Sequence, residues 1–235
     1  MDEHDARSRI ALALDVPDLD SATRLIEQTH PFIGVYKVGL ELFTAAGPYA
    51  VEAVRESNAA CFLDLKLHDI PATMARAVRS AAELGAQYLT VHASAGAEAL
   101  AGALAESGPM RLLAVTVLTS FDSESLAAVG FRQSPEQAAL ALAGLAWESG
   151  VRGFVSSAHE SSHLRARFGD EAFLVTPGIR PRDAAAGDQK RVMSPTEAIG
   201  AGSDLLVIGR PVRDAIDPSA AASELFLEVD AALQR

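Results

Sequence analysis

The segment Asp64-Leu65-Lys66-Leu67-His68-Asp69-Ile70-Pro71 puts two carboxylates and an ammonium within six positions. A lysine ammonium is a compact charge that can give up a proton, and a neighbouring carboxylate can hold it in place. Along a strand, side chains alternate faces with a rise of ~3.3 Å per residue, so Asp64 and Lys66 are expected on one face roughly 6.6 Å apart. Leu65 and Leu67 then face the other way. Charges of this kind are costly to desolvate unless paired. A strand-end salt bridge supporting the next loop is the ordinary reading of an Asp-x-Lys pair. Asp69 leaves that reading a third charge to explain. Lys37 closes the run Ile33-Gly34-Val35-Tyr36-Lys37 on the parity of Ile33 and Val35, and Asp15 closes Ile10–Leu14 in the same way. Taken singly, these two read as a solvated lysine and a helix cap or loop anchor.

A second group of residues suits an anion. Thr176-Pro177-Gly178-Ile179-Arg180-Pro181 is followed by a polar loop through Gly187-Asp188-Gln189-Lys190-Arg191 to a helix start at Ser194-Pro195. The segment Leu206-Val207-Ile208-Gly209-Arg210-Pro211 comes next. Glycine lets a backbone N–H approach an anion closely, and arginine can make a bidentate guanidinium contact. His92 ends the run before Ala93-Ser94 and reads as a hydrogen-bonded structural residue. The remaining histidines lack metal-ligand spacing, and the single cysteine, Cys61, allows neither an internal disulfide nor a multi-thiolate zinc site. No metal is expected.

The elements that must position these residues recur as a short apolar run, a polar residue at its end, and an Ala-rich helical stretch. The runs are Ile10–Val16, Ile33–Val38, Ala60–Leu67, Tyr88–Val91, Arg111–Leu118, Gly153–Val155, Phe173–Val175 and Leu205–Ile208. Helices are predicted over Ala22–Gln28 behind Asp18/Asp20, over Ala72–Leu84 behind Pro71, and over Gln137–Ser149 behind Ser134-Pro135-Glu136. Gly85 and Gly150 stand where C-terminal caps belong. Eight strand–helix alternations predict a single (β/α)8 barrel over residues 1–235. An open doubly wound sheet is the alternative, but its glycine fingerprint is missing after the first strand. In such a barrel the chemistry lies at the C-terminal strand ends, where Asp15, Lys37, Asp64, Lys66, His92, Thr119, Ser120, Ser156, Arg180 and Arg210 fall. Loops after strands seven and eight are the usual phosphate cradle of this class.

Composition limits the partners. The 235 residues carry 20 basic and 31 acidic side chains, a net charge of −11 that disfavours nucleic-acid polymers and anionic membrane surfaces. A 49% apolar, 22% charged chain is not disordered. No apolar run approaches the ~20 residues of a membrane span, and Met1 to Arg9 are charged and polar, so a cytoplasmic protein is expected.

Together these residues resemble the orotidine 5′-phosphate decarboxylases. The likeness rests on Leu14-Asp15, Lys37–Phe43, Asp64–Thr73, Val91–Ser94, Val117–Ser120, Thr176–Pro181, Gly187-Asp188-Gln189 and Val207–Pro211, in order along nearly the whole chain. It implies decarboxylation of orotidine 5′-phosphate to UMP and CO2, without metal or organic cofactor. It also implies that Lys37, Asp64, Lys66 and Asp69 form the family's charged tetrad. Lys66 would protonate pyrimidine C6 and Asp64 would sit beside the departing carboxylate. Asp69, with Ile70 and Thr73, would reach into a neighbouring subunit's site, which implies a homodimer. Asp15 and Lys37 match ribose contacts, Thr119 and Ser120 the pyrimidine stretch, and Arg180, Gln189, Gly209 and Arg210 the phosphate site. Closure of the loop 180–191 over the phosphate is a further expectation. A magnesium-dependent 3-keto-L-gulonate 6-phosphate decarboxylase-like enzyme and a non-catalytic phosphate-binding barrel are the competing readings.

Overall fold

A computed structural model describes residues 5–180 and 193–234. Eight parallel strands close into a barrel in chain order: β1 Ile10–Ala13, β2 Val35–Val38, β3 Ala60–Leu67, β4 Tyr88–His92, β5 Arg111–Val115, β6 Gly153–Val155, β7 Phe173–Pro177 and β8 Leu205–Ile208. The ring closes where Ile10, Ala11 and Leu12 pair with Leu206, Val207 and Ile208. The predicted (β/α)8 barrel is therefore the observed fold. Several predicted runs outlast their strands. Val16 lies beyond β1, and Thr116–Leu118 beyond β5, in the loops that carry the site.

Helices begin where short side chains satisfy their free N–H groups. Asp18 accepts from Ser21 N at 2.7 Å ahead of the helix Leu19–Thr29, and Ser134 and Gln137 cap Pro135–Glu148 reciprocally. Pro71 opens Pro71–Glu83. Gly85 and Gly150 end their helices at φ 81° and 93°, a region costly for any residue with a Cβ. Two helices not singled out by the sequence, Leu40–Ala46 and Pro48–Glu56, join β2 to β3.

The strands sort their side chains into two apolar layers, as an alternating pleat requires. Inward-facing Ala11, Ala13, Val35, Phe62, Leu113, Val175 and Val207 fill the barrel. Outward-facing Leu12, Tyr36, Leu63, Leu89 and Leu174 meet the helices. Lys37 follows Val35 inward, but Ile33, which precedes the strand, packs outside. The parity expected through Ile33 therefore begins only at Val35. Among the described residues, no helix is long and apolar enough to cross a membrane.

The N-terminal face of the barrel is tied by Asp204. Its Oδ2 accepts from Arg165 Nη2 at 2.6 Å and Leu174 N at 2.7 Å, and its Oδ1 accepts from Arg9 Nη1 at 3.2 Å. Removing the carboxylate takes an acceptor from all three donors, leaving Arg165 Nη2 and Arg9 Nη1 only their carbonyl partners on Gly202 and residue 204. Asp204→Ala is expected to lower unfolding free energy by on the order of 3 kcal/mol in denaturant titration. An unchanged midpoint would remove Asp204 from the account of stability.

Candidate active site

At the C-terminal strand ends the sequence-predicted charges converge. The Asp64 carboxylate is almost wholly buried, and its Oδ2 accepts from Lys66 Nζ at 2.8 Å and lies 3.4 Å from Lys37 Nζ. Lys37 Nζ also meets Asp15 Oδ1 at 3.1 Å. The result is an alternating line of charge, Asp15, Lys37, Asp64, Lys66, drawn from β2, β3 and the end of β1. Burial alone pushes the Asp64 pKa up. Lys37, Lys66 and the hydrogen bonds from Lys66 and Thr90 outweigh it, holding the carboxyl below its usual range.

Strict strand alternation does not produce this contact. Between Leu63↔Leu89 and Leu67↔Val91 the register of β3 on β4 shifts, so Asp64, Leu65 and Lys66 lie opposite the single residue Thr90. Lys66 takes φ 50°, in the left-handed region that an unbranched side chain adopts only at a cost of ~1–2 kcal/mol. The expected separation of two pleats is replaced by a bulge that turns Lys66 back onto Asp64. Leu65 and Leu67 still pack against the helical layer.

Gly39 explains how Lys37 and Asp15 meet. A Cβ there would stand 3.0 Å from both Asp15 Oδ1 and Lys37 Nζ, so a side chain would press on the pair. Arg213, absent from the sequence reading, donates to the Asp15 carbonyl at 2.9 Å and pairs with Asp214 at 2.6 Å. Its only sequence signal is the spacing of three from Arg210, one helical turn into Arg210–Arg213.

Two adjoining cavities open over this line, sharing Lys37, Pro177 and Val207. One, of about 380 Å³, is lined by Asp15, Arg180, Gly209, Arg210 and Arg213. The other, of about 180 Å³, has apolar walls of Phe62, Val115, Val117, Leu118 and Val155, with Asp64, Lys66, Thr119 and Ser156. A cationic chamber thus joins an apolar one at Lys37, with Lys66 inside the apolar one. Ile179 bridges to Met193, and Arg180 N donates to the Met193 carbonyl at 3.1 Å, which fixes Arg180 at the cationic end. The buried Ser156 Oγ has no hydrogen-bond partner among the described residues.

The remaining sequence candidates are placed as follows. Thr119 lines the apolar chamber; Ser120 is exposed and lines neither. Asp69 and Ile70 are exposed outside both cavities, with the Asp69 carboxylate accepting from Ile70 N at 2.7 Å, and Thr73 is half-buried on the following helix. Gln189 and the loop through Lys190 and Arg191 lie outside the described residues. The helix start at Ser194-Pro195, expected at the anion site, lines neither cavity. Its own capping box answers its N-terminal N–H groups: Glu197 N donates to Ser194 Oγ at 3.3 Å and Ser194 N to Glu197 Oε2 at 2.9 Å. The helix that does reach the cationic cavity is Arg210–Arg213. His92 is half-buried beside His68; burial first, then His68 and Lys66, lower its pKa. Among the described residues, no group of three or more His, Cys, Asp or Glu side chains could hold a metal ion.

Fold and site together define a (β/α)8-barrel enzyme whose paired lysines and aspartates run from an anion chamber, through Lys37, into an apolar one. Residues 8–225 match the model of the orotidine 5′-phosphate decarboxylase / HUMPS family, and the chain belongs to that family. It is 50% identical over 221 residues to the orotidine 5′-phosphate decarboxylase of Thermobifida fusca (strain YX), covering 94% of this chain and 95% of that protein. The orotidine 5′-phosphate decarboxylase of Anaeromyxobacter sp. (strain K) is 52% identical over 215 residues, covering 91% and 95%. A crystal structure of orotidine 5′-phosphate decarboxylase from Lactobacillus acidophilus superposes with a TM-score of 0.82 at 32% identity, over 94% of this chain and 99% of that one.

The contact at Gly39 is testable without an assay. Both atoms a Cβ would press on are the ends of side chains, so the site yields before the fold does. Gly39→Ala is expected to open the Lys37–Asp15 contact in a crystal structure while changing unfolding free energy by less than about 1 kcal/mol. An intact contact in the variant would show that the glycine is not what admits it.

Proposed function

We propose that this chain decarboxylates orotidine 5′-phosphate to UMP and CO2 as the last step of UMP synthesis. In this reading the whole chain forms one catalytic barrel in the cytoplasm and needs no metal or organic cofactor. The observation that carries the reading is the Lys66–Asp64 contact in the apolar chamber, joined through Lys37 to the cationic one. Arg180 and Arg210, with the Gly209 turn and Gln189, take the phosphate. Asp15 and Lys37 take the ribose hydroxyls, and Thr119 and Ser120 the pyrimidine.

The reaction demands such a site. Breaking the bond from C6 to the carboxylate leaves its electron pair on C6, in the ring plane, where the π system cannot receive it. The barrier must fall by about 20 kcal/mol, near the upper range of enzymes. The Lys66 ammonium, preorganised beside C6 and walled by apolar side chains, favours that charge as it develops. It then transfers a proton to C6, forming the C6–H bond as CO2 leaves, and regains one from solvent at its partly exposed end. Asp64 keeps the ammonium in position and stands beside the substrate carboxylate. Phosphate binding far from C6 supplies energy for ordering the site.

Asp69, Ile70 and Thr73 complete the site of a second subunit in a homodimer. Supporting this, Asp69 is exposed outside its own chain's cavities, and Ile70 is 67% exposed at the start of the helix carrying Thr73.

Two experiments follow. Purified, chelator-treated protein is expected to consume orotidine 5′-phosphate, followed by its ultraviolet absorbance, at the rate seen without chelator. Dependence on added Mg²⁺, or binding of UMP without turnover, would contradict the reading. For the dimer, Lys66→Ala and Asp69→Asn chains are each expected to be inactive. When mixed one to one and allowed to exchange, they should regain about a quarter of wild-type activity, because half the dimers then hold one intact site. No recovery on mixing would place Asp69 in its own chain's site.

A further inference from the structure

We infer that Thr90 is a positioning residue for Lys66 and Asp64, acting through a single hydroxyl that ties the strained lysine backbone to the buried carboxylate. The inference rests on the proposed decarboxylation, but its basis is separate. Thr90 Oγ1 accepts a hydrogen bond from Lys66 N at 2.8 Å and donates one to Asp64 Oδ1 at 2.9 Å. Its residue is 1% exposed and lines neither chamber, so it touches no substrate.

The geometry gives the hydroxyl a task that no other described group shares. The bulge leaves three residues of β3 opposite one residue of β4, so the Lys66 N–H has no strand partner across the register shift. A hydroxyl fills this gap because it is donor and acceptor at once. Its acceptor side satisfies the N–H of a residue held at φ 50°, and its donor side fixes the carboxylate oxygen that the lysines leave open. Backbone and side chain of Lys66 are thereby anchored to the same two groups: Nζ directly to Asp64, and N to Asp64 through Thr90. A shift of the bulge would move Nζ relative to C6, and misplacement of a reacting group by about 1 Å costs on the order of 100-fold in rate. Valine has threonine's shape without the hydroxyl; serine keeps the hydroxyl and loses a methyl.

The test is a comparison of Thr90→Val, Thr90→Cys and Thr90→Ser with wild type in the same decarboxylation assay. Positioning through the hydroxyl predicts that kcat falls in the order wild type, Ser, Cys, Val, with Val lower by about 10- to 100-fold and Ser within about threefold of wild type. KM, set by the distant phosphate contacts, should change by less than about threefold in all three. The acid limb of kcat should also move to higher pH in Thr90→Val, since one hydrogen bond favouring the Asp64 carboxylate is lost. The charged and titratable groups that face Asp64 are Lys37 from β2, Lys66 from its own strand and His92 from β4, with Asp15 beyond Lys37.

A purely structural role predicts the opposite order, with Val near wild type, Ser and Cys impaired by lost packing, and the acid limb fixed. That result would overturn the inference. If Thr90→Val fails to fold, the ranking of Ser above the similarly sized Cys decides in the same way, equality contradicting it. A wild-type protein that turned over no orotidine 5′-phosphate would instead refute the function on which the inference rests.

Discussion

A carboxylate removed from water must be surrounded by donors, and at Asp64 that requirement organises the catalytic end of the barrel. Desolvating such an ion costs several kcal/mol unless its oxygens are answered. One oxygen is met by two lysines and the other by Thr90. To supply those donors, β3 gives up regular pairing on β4, and Lys66 accepts a left-handed backbone. Lys37 must then pass close to Asp15, so that a side chain at position 39 would press on the pair. Arg213 holds the Asp15 carbonyl and so links this chain of charges to the turn after β8. Each departure from regular geometry in the site thus traces to keeping one buried carboxylate ionised beside two ammonium groups.

The two ends of the barrel divide stability from chemistry. At the N-terminal end, Asp204 gathers Arg9, Arg165 and a backbone N–H into a closed set of ion pairs. At the C-terminal end, the charges line open chambers. The net charge of −11 describes the surface as a whole and is reversed locally, where Lys37, Lys66, Arg180, Arg210 and Arg213 surround an anion-sized space. Lysine is scarce, with only Lys37, Lys66 and Lys190 in the chain, and two of the three meet Asp64. Arginine, always protonated, supplies surface pairs and phosphate contacts equally well, whereas a group that must release a proton to carbon calls for an amine.

The sequence made much of this legible because barrel strands and active-site charges follow simple periodic rules. The alternation of apolar runs and capped helices led to eight strands. The ends of those runs led to Asp15, Lys37, Asp64, Lys66, Thr119, Ser156, Arg180 and Arg210. What alternation could not reveal was the bulge, since a register shift depends on how two strands pair rather than on the residues of either. Thr90 therefore lies within the run Tyr88–Val91 with nothing in the sequence to set it apart. Arg213 was hidden for a similar reason, because its partner, the Asp15 carbonyl, lies 198 positions away. The Ser194-Pro195 helix start is present but lines neither chamber, since an N-terminal cap motif signals satisfied N–H groups as readily as an anion site.

The central claim is that the ammonium of Lys66 delivers the proton that replaces CO2 at C6. It is tested most directly by single-turnover decarboxylation with Lys66→Ala, alongside a measurement of UMP affinity on the same preparation. The account predicts loss of the chemical step by at least about four orders of magnitude, a deficit of ~5 kcal/mol or more in transition-state stabilisation. UMP binding should persist, because its phosphate contacts come from other strands. A variant that bound UMP and released CO2 at near the wild-type rate would contradict it.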